Sequence, residues 1–92
     1  MEMNISFDPA KNAKNIAERG LSFELVANLE WETAVAQEDT RRDYGERRVR
    51  VSGLIGERLH VAVITMRGAT VHVISFRKAN DREVRKYGKQ AK

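Results

Sequence analysis

Arg77 and Lys78 stand side by side where two structural periods meet. Before them, Val71 to Phe76 is dominated by apolar residues, as a strand requires. After Ala79 the spacing turns helical, with Val84, Tyr87 and Ala91 separated by three and four. A strand end holds its side chains in fixed directions, and a helix N-terminus adds free backbone N–H groups and the positive end of a dipole. The chemistry that suits such a junction is the binding of a phosphate. Arginine is the better of the two cations for it, because its planar fork meets two phosphate oxygens at once.

The charge of the chain points the same way. The 92 residues carry a formal net charge of +4, unevenly spread. Residues 1–40 hold three Lys or Arg against eight Asp or Glu, a net of −5, and residues 41–92 hold fourteen against five, a net of +9. This asymmetry favours nucleic acid as the partner of the second half, with a solvated basic surface as the plainer alternative. There is no cysteine, which excludes a disulfide framework and a thiolate metal site and suits a reducing compartment. The two histidines, His60 and His72, have no Asp/Glu cluster beside them, so neither a metal nor another cofactor is expected. No glycine-rich phosphate loop and no Ser-His-Asp pattern occurs. No apolar run is long enough to span a membrane, and the first residues lack a basic stretch followed by an apolar one. The expectation is a single soluble, cytoplasmic domain over residues 1–92.

The positioning elements follow from local signals. Residues 4–7 read as a short strand. Asp8-Pro9 then starts a helix, with Asp as N-cap and proline where no N–H is needed. The helix runs to about Arg19, with Ala10, Ala13, Ile16 and Ala17 along one stripe, and Gly20 ends it in the left-handed conformation. A second short helix is expected from Phe23 to about Leu29, burying Phe23, Val26 and Ala27. Residues 33–36 suggest a strand and residues 37–44 a polar loop. Three strand-like runs follow at 47–52, 58–66 and 70–76. Glycines in the intervening segments mark antiparallel hairpins, and a last helix covers 81 to about 89. Helices segregated from strands predict an α+β domain, with two N-terminal helices packed on one antiparallel β-sheet and a C-terminal helix beside it.

Pairing the last two strands through Gly68-Ala69 sets Met66 opposite Val71, Ile64 opposite Val73, Ala62 opposite Ser75 and His60 opposite Arg77, all on one face. The other face would carry Leu59, Val61, Val63, Ile74 and Phe76 towards the N-terminal helices. In this register His60 faces Arg77, where a histidine could transfer protons near neutral pH, although a partly buried structural histidine is the simpler reading. His72 falls on the opposite face and is the poorer candidate.

Phe7-Asp8-Pro9, Arg19-Gly20-Leu21-Ser22-Phe23-Glu24, Glu46-Arg47-Arg48, Thr65-Met66-Arg67-Gly68 and Ile74-Ser75-Phe76-Arg77-Lys78-Ala79 follow one another along the chain, and this ordered set of short motifs resembles the BrnT toxins of bacterial type II toxin–antitoxin pairs. Phe7-Asp8-Pro9-Ala10-Lys11 is similar to the family's opening. Lys14-Asn15 followed by Arg19-Gly20-Leu21-Ser22-Phe23-Glu24 resembles its Lys-Asn-x-x-Lys-His-Gly-[Val/Ile]-Ser-Phe-Glu segment. Glu46-Arg47-Arg48, Gly53 and Thr65-Met66-Arg67-Gly68 match its middle, and Ile74-Ser75-Phe76-Arg77-Lys78-Ala79, Glu83 and Tyr87 match its C-terminal signature. One departure stands out. Glu18-Arg19 occupies the place of the family's usual Lys-His, and an arginine cannot readily serve as a base. The resemblance implies a fold similar to RelE ribonucleases and RNA cleavage that arrests translation. It also implies neutralisation by a BrnA-like ribbon-helix-helix antitoxin, through which alone the toxin would meet DNA.

RNA is cleaved without metal when its own 2′-hydroxyl attacks the adjacent phosphorus, which requires positioning, cations for the phosphorane oxygens and two proton transfers. Arg77 and Arg67 occupy family-matching positions and are the expected stabilisers; for Arg67 the plain alternative is an exposed hairpin residue. Glu46 and Glu83 are the candidate bases. Their structural alternatives are an ion pair with a neighbouring arginine for Glu46 and a capping box with Asn80 for Glu83. Lys78, Arg47 and Arg48 are expected to hold the RNA backbone, and Lys11, Asn15 and Arg19 join them by resemblance. Tyr87 would pack, or bond or stack RNA. Arg82, with Lys86 and Lys89, would be a solvated stripe, an RNA contact or an antitoxin-docking face. The competing reading of the whole chain is a non-catalytic module that binds RNA or a DNA-binding partner, and a weaker one is an enzyme acting on another phosphodiester.

Overall fold

The computed structural model describes residues 3–90, so Ala91, placed by its spacing on the last helical stripe, lies outside the described residues. In chain order the elements are β1 (Ile5–Phe7), α1 (Pro9–Arg19), a 3₁₀ segment (Phe23–Asn28), β2 (Val35–Glu38), β3 (Val49–Ile55), β4 (Arg58–Arg67), β5 (Thr70–Lys78) and α2 (Asp81–Gln90). The strands form one sheet in the order β1-β5-β4-β3-β2.

Three of the four pairings are antiparallel, but β1 runs parallel to β5, with Ile5 opposite Val71 and Phe7 opposite Val73. The sheet is therefore mixed. The expected arrangement of two N-terminal helices on an antiparallel, RelE-like sheet is overturned. A strand of three residues carries no directional signal in its sequence. Its direction is set by its pairing with β5, far along the chain.

The two N-terminal helices also depart from expectation. The second is a 3₁₀ segment. Phe23, Val26 and Leu29 recur every three residues, which a 3₁₀ turn eclipses on one side, and all three are buried while Ala27 is exposed. α1 has its expected ends: Asp8 caps Ala10 N and Lys11 N, and Gly20 closes it at φ 69°. Yet α1 buries no residue, and Ile16 on its apolar stripe is 46% exposed. The helix docks through amides instead. Asn15 Nδ2 donates to Leu21 O and Phe76 O, both at 3.0 Å, and Asn12 Oδ1 accepts from Phe23 N at 2.7 Å. Apolar periodicity is blind to such polar docking.

The register of β4 on β5 holds from Arg67↔Thr70 to Ile64↔Val73, then shifts, so that Val63 meets Ser75, Ala62 meets Phe76, Val61 meets Arg77 and His60 meets Lys78. Ile74 is the extra residue, a β-bulge. A single extra residue exchanges the faces of everything beyond it. Phe76 turns into the main core, against Ala62, Ile64, Val73 and the 3₁₀ segment. That core lies on the face opposite to the one expected. Leu59 and Val61 instead join Ala79, Leu54 and Tyr87 beneath α2.

Candidate functional site

The register assembles one open sheet face. Ser6 on β1, His72, Ser75 and Arg77 on β5, Val63 and Arg67 on β4, and Arg50 on β3 share it. α2 covers one end of this face through Tyr87, packed on Leu59 and Val61. Ser75, near the middle, is exposed. The bulge matters here. His72 and Arg77 are five residues apart, so regular alternation would set them on opposite faces, and Ile74 brings them onto the same one.

Arg77 is held as a fork. Its NH1 and NH2 donate to Glu83 Oε1 and Oε2 at 2.7 and 2.9 Å, and NH1 also reaches Lys78 O at 3.3 Å. Glu83 Oε1 accepts from Asn80 N at 2.9 Å, while Asn80 Oδ1 accepts from Glu83 N at 2.8 Å, the reciprocal capping box. The hydrogen bond from Arg77 holds the Glu83 carboxyl down to about 2, helped by Asn80 N and the charge of Arg50 and opposed by burial. A carboxylate so acidic and so fully engaged is a poor proton acceptor. The same bond raises the Arg77 pKa, against burial and the charge of Arg41. A guanidinium has five N–H donors; three are engaged here, leaving Nε–H and one NH2 hydrogen for another acceptor.

Two grooves flank this ion pair. One, of about 330 Å³, runs between α1 and β5 and is lined by Lys11, Asn15, Arg19, Ser75 and Arg77. The other, of about 300 Å³, lies between α2 and the β2–β3 side and is lined by Arg50, Ser52, Arg82, Glu83 and Tyr87. Asn15 thus plays a structural part, while Lys11 and Arg19 are exposed on the same groove as Arg77. Tyr87 donates its hydroxyl to Thr33 O at 3.1 Å, tying α2 to the segment before β2. Lys78 lies opposite His60, so it projects to the face away from Arg77.

At the hairpin end, Glu46 is shared by Arg48 at 3.3 Å and Arg67 at 3.9 Å. Arg47 pairs with Glu38 at 3.3 Å on the surface, and the Arg48 guanidinium covers the Tyr44 ring at 4.1 Å. The neighbouring loop, polar in sequence, is stapled. Buried Asp39 takes Arg41 as a fork at 2.8 and 2.9 Å and the Tyr44 hydroxyl at 3.2 Å. Foremost among these the Arg41 hydrogen bond holds its carboxyl well below the usual range. Arg50 is the other residue that sequence reasoning passed over; its place in an alternating strand was the signal available.

His60 has the structural role of its simpler reading, and the face expected for each histidine is exchanged. His60 is buried, stacked on Phe76 with ring centroids 5.3 Å apart, and its Nδ1 donates to Arg58 O at 2.9 Å. Burial lowers its pKa. It faces the main core, away from Arg77. His72 is the histidine on the open face, with Ser6 Oγ 2.9 Å from its Nδ1.

Among the described residues no three His, Asp or Glu side chains gather as a metal-ligand cluster, and no helix is long and apolar enough to cross a membrane. No curated protein matches the chain. A family model described as the ribonuclease toxin BrnT of type II toxin–antitoxin systems matches residues 7–83, a span that runs from the last residue of β1 into the first turn of α2 and takes in every side chain named on the open face except Ser6. The chain belongs to the BrnT family of ribonuclease toxins, and as such is one member of a toxin–antitoxin pair with RNA as its substrate.

Proposed function

We propose that this toxin is a metal-independent endoribonuclease whose centre is the open sheet face, and that cleavage of cytoplasmic RNA inhibits translation. The RNA backbone runs along β5. Arg67 and Arg77 meet its phosphates and stabilise the negative charge that builds up as the 2′-hydroxyl attacks phosphorus. Arg50, Lys11 and Arg19 extend the cationic track, with Arg47, Arg48 and Arg82 at its margins. The antitoxin is a BrnA-like ribbon-helix-helix protein, and DNA is met only through it.

The observation that carries this reading is the Arg77 fork. Glu83 fixes the guanidinium in direction while leaving two of its donors free beside an open groove. A rigid cation with spare donors suits a phosphate whose charge grows during reaction better than a mobile surface lysine does. Incubation of the purified protein with single-stranded RNA in excess chelator tests it. Fragments ending in a 2′,3′-cyclic phosphate are expected, and intact RNA, or cleavage abolished by the chelator, overturns the reading.

A further inference from the structure

His72 lies on the open face between the levels of Arg67 and Arg77 along β5, and its imidazole takes part in neither ion pair of that face. The parallel pairing of β1 sets Ser6 directly beside it, and the 2.9 Å contact from Ser6 Oγ occupies Nδ1 and fixes the ring. Nε2 is then the nitrogen left for a ligand. When the serine hydroxyl accepts from Nδ1–H, Nε2 carries a free lone pair. Four charged groups act on the ring electrostatically: Arg67 on β4, Lys11 on α1, Asp8 at the N-cap and Glu46 before β3. Burial, joined by Arg67 and Lys11 and opposed by Glu46 and Asp8, favours the neutral imidazole. The other candidate proton acceptors are engaged elsewhere. Glu83 is bound by Arg77 and Asn80, Glu46 by two arginines, and His60 lies buried on the other face.

We propose that His72 is the general base of the RNA cleavage, held in place by Ser6; this rests on the ribonuclease reading above. The 2′-O–H proton passes to His72 Nε2 as the 2′-oxygen forms its bond to phosphorus. The bond from phosphorus to the 5′-oxygen breaks, that oxygen takes a proton from water, and the imidazolium returns its proton to solvent. Arg67, diagonal to His72 across the β4–β5 pair, and Lys11 on α1 supply cations to the non-bridging oxygens, while Arg77 holds the phosphate further along the strand.

Single-turnover cleavage of single-stranded RNA in excess chelator, followed from about pH 5 to about pH 9, tests this for wild type, His72→Gln and Ser6→Ala. His72→Gln is expected to lose about 100-fold or more in rate, to keep RNA affinity within about twofold, and to lose the acid limb of the pH profile. Ser6→Ala, a positioning change, should slow cleavage less and shift that limb without abolishing it. Added imidazole should restore part of the rate to His72→Gly, which keeps the proposal testable where one variant fails to fold. His72→Gln cleaving at the wild-type rate, or losing affinity with the acid limb intact, overturns the role of His72 and leaves the ribonuclease reading standing. A wild-type protein that leaves RNA intact overturns both.

Discussion

Arg77 and Glu83 grip each other across the junction of β5 and α2 through two hydrogen bonds of 2.7 and 2.9 Å, and the same carboxylate closes the first turn of α2 by accepting from Asn80 N. One side chain thus caps a helix and aims a cation. The pair is partly buried, with side chains 37% and 22% exposed, so it is less screened than a surface ion pair.

This arrangement makes stability depend on acid. The Glu83 carboxyl is held at about 2 against its ordinary 4.5, so its contribution is fully present above about pH 4.5 and is lost as pH falls towards 2. Urea midpoints measured down that range should fall for the wild type. Glu83→Gln should already be less stable at neutral pH, by about 1–2 kcal/mol, and show a shallower fall. Equal slopes for both proteins would show that Glu83 is not the titrating group.

Loss of the fork should cost activity more than affinity. Arg77→Ala is expected to lower the cleavage rate about 100-fold, the scale of removing one donor from a charge-stabilising site. Arg77→Lys should recover little, since lysine cannot form the two-point contact with Glu83. Rates read beside thermal melts separate this from unfolding, and a well-folded Arg77→Ala at full rate would remove Arg77 from the centre.

Docking of α1 through amides reverses the usual ranking of its residues. Asn15→Ala should destabilise by about 1–3 kcal/mol, because it leaves two carbonyl oxygens without their donor. Ile16→Ser should stay within about 0.5 kcal/mol, as expected of an exposed position. Chemical unfolding of both variants reads the difference directly, and an Ile16 effect larger than that of Asn15 would refute the amide docking.

Local signals read from the sequence agree with the structure where the chemistry is local. The Asp8-Pro9 start and Gly20 stop of α1, the capping box of Asn80 and Glu83, and the hairpin through Gly68 are all present. What escaped was set by single residues acting at a distance. Ile74 shifts the register and exchanges the two faces, yet it looks like any other apolar strand residue. The direction of the three-residue β1 depends on packing elsewhere. The missed register shift bears on the site: without it His60 pairs with Arg77, and His72, which shares the open face with Arg77, falls on the other side.

The claim that RNA supplies its own nucleophile on this face is tested most directly by one substrate. A single-stranded RNA is cut in excess chelator, its cleavage site is mapped, and the same RNA is then made with a deoxynucleotide on the 5′ side of the scissile phosphate. Cleavage should vanish at that position and continue at unsubstituted ones, leaving 2′,3′-cyclic phosphate and 5′-hydroxyl ends. Undiminished cleavage at the deoxy position would contradict the mechanism, because a nucleophile other than the 2′-hydroxyl would then be at work.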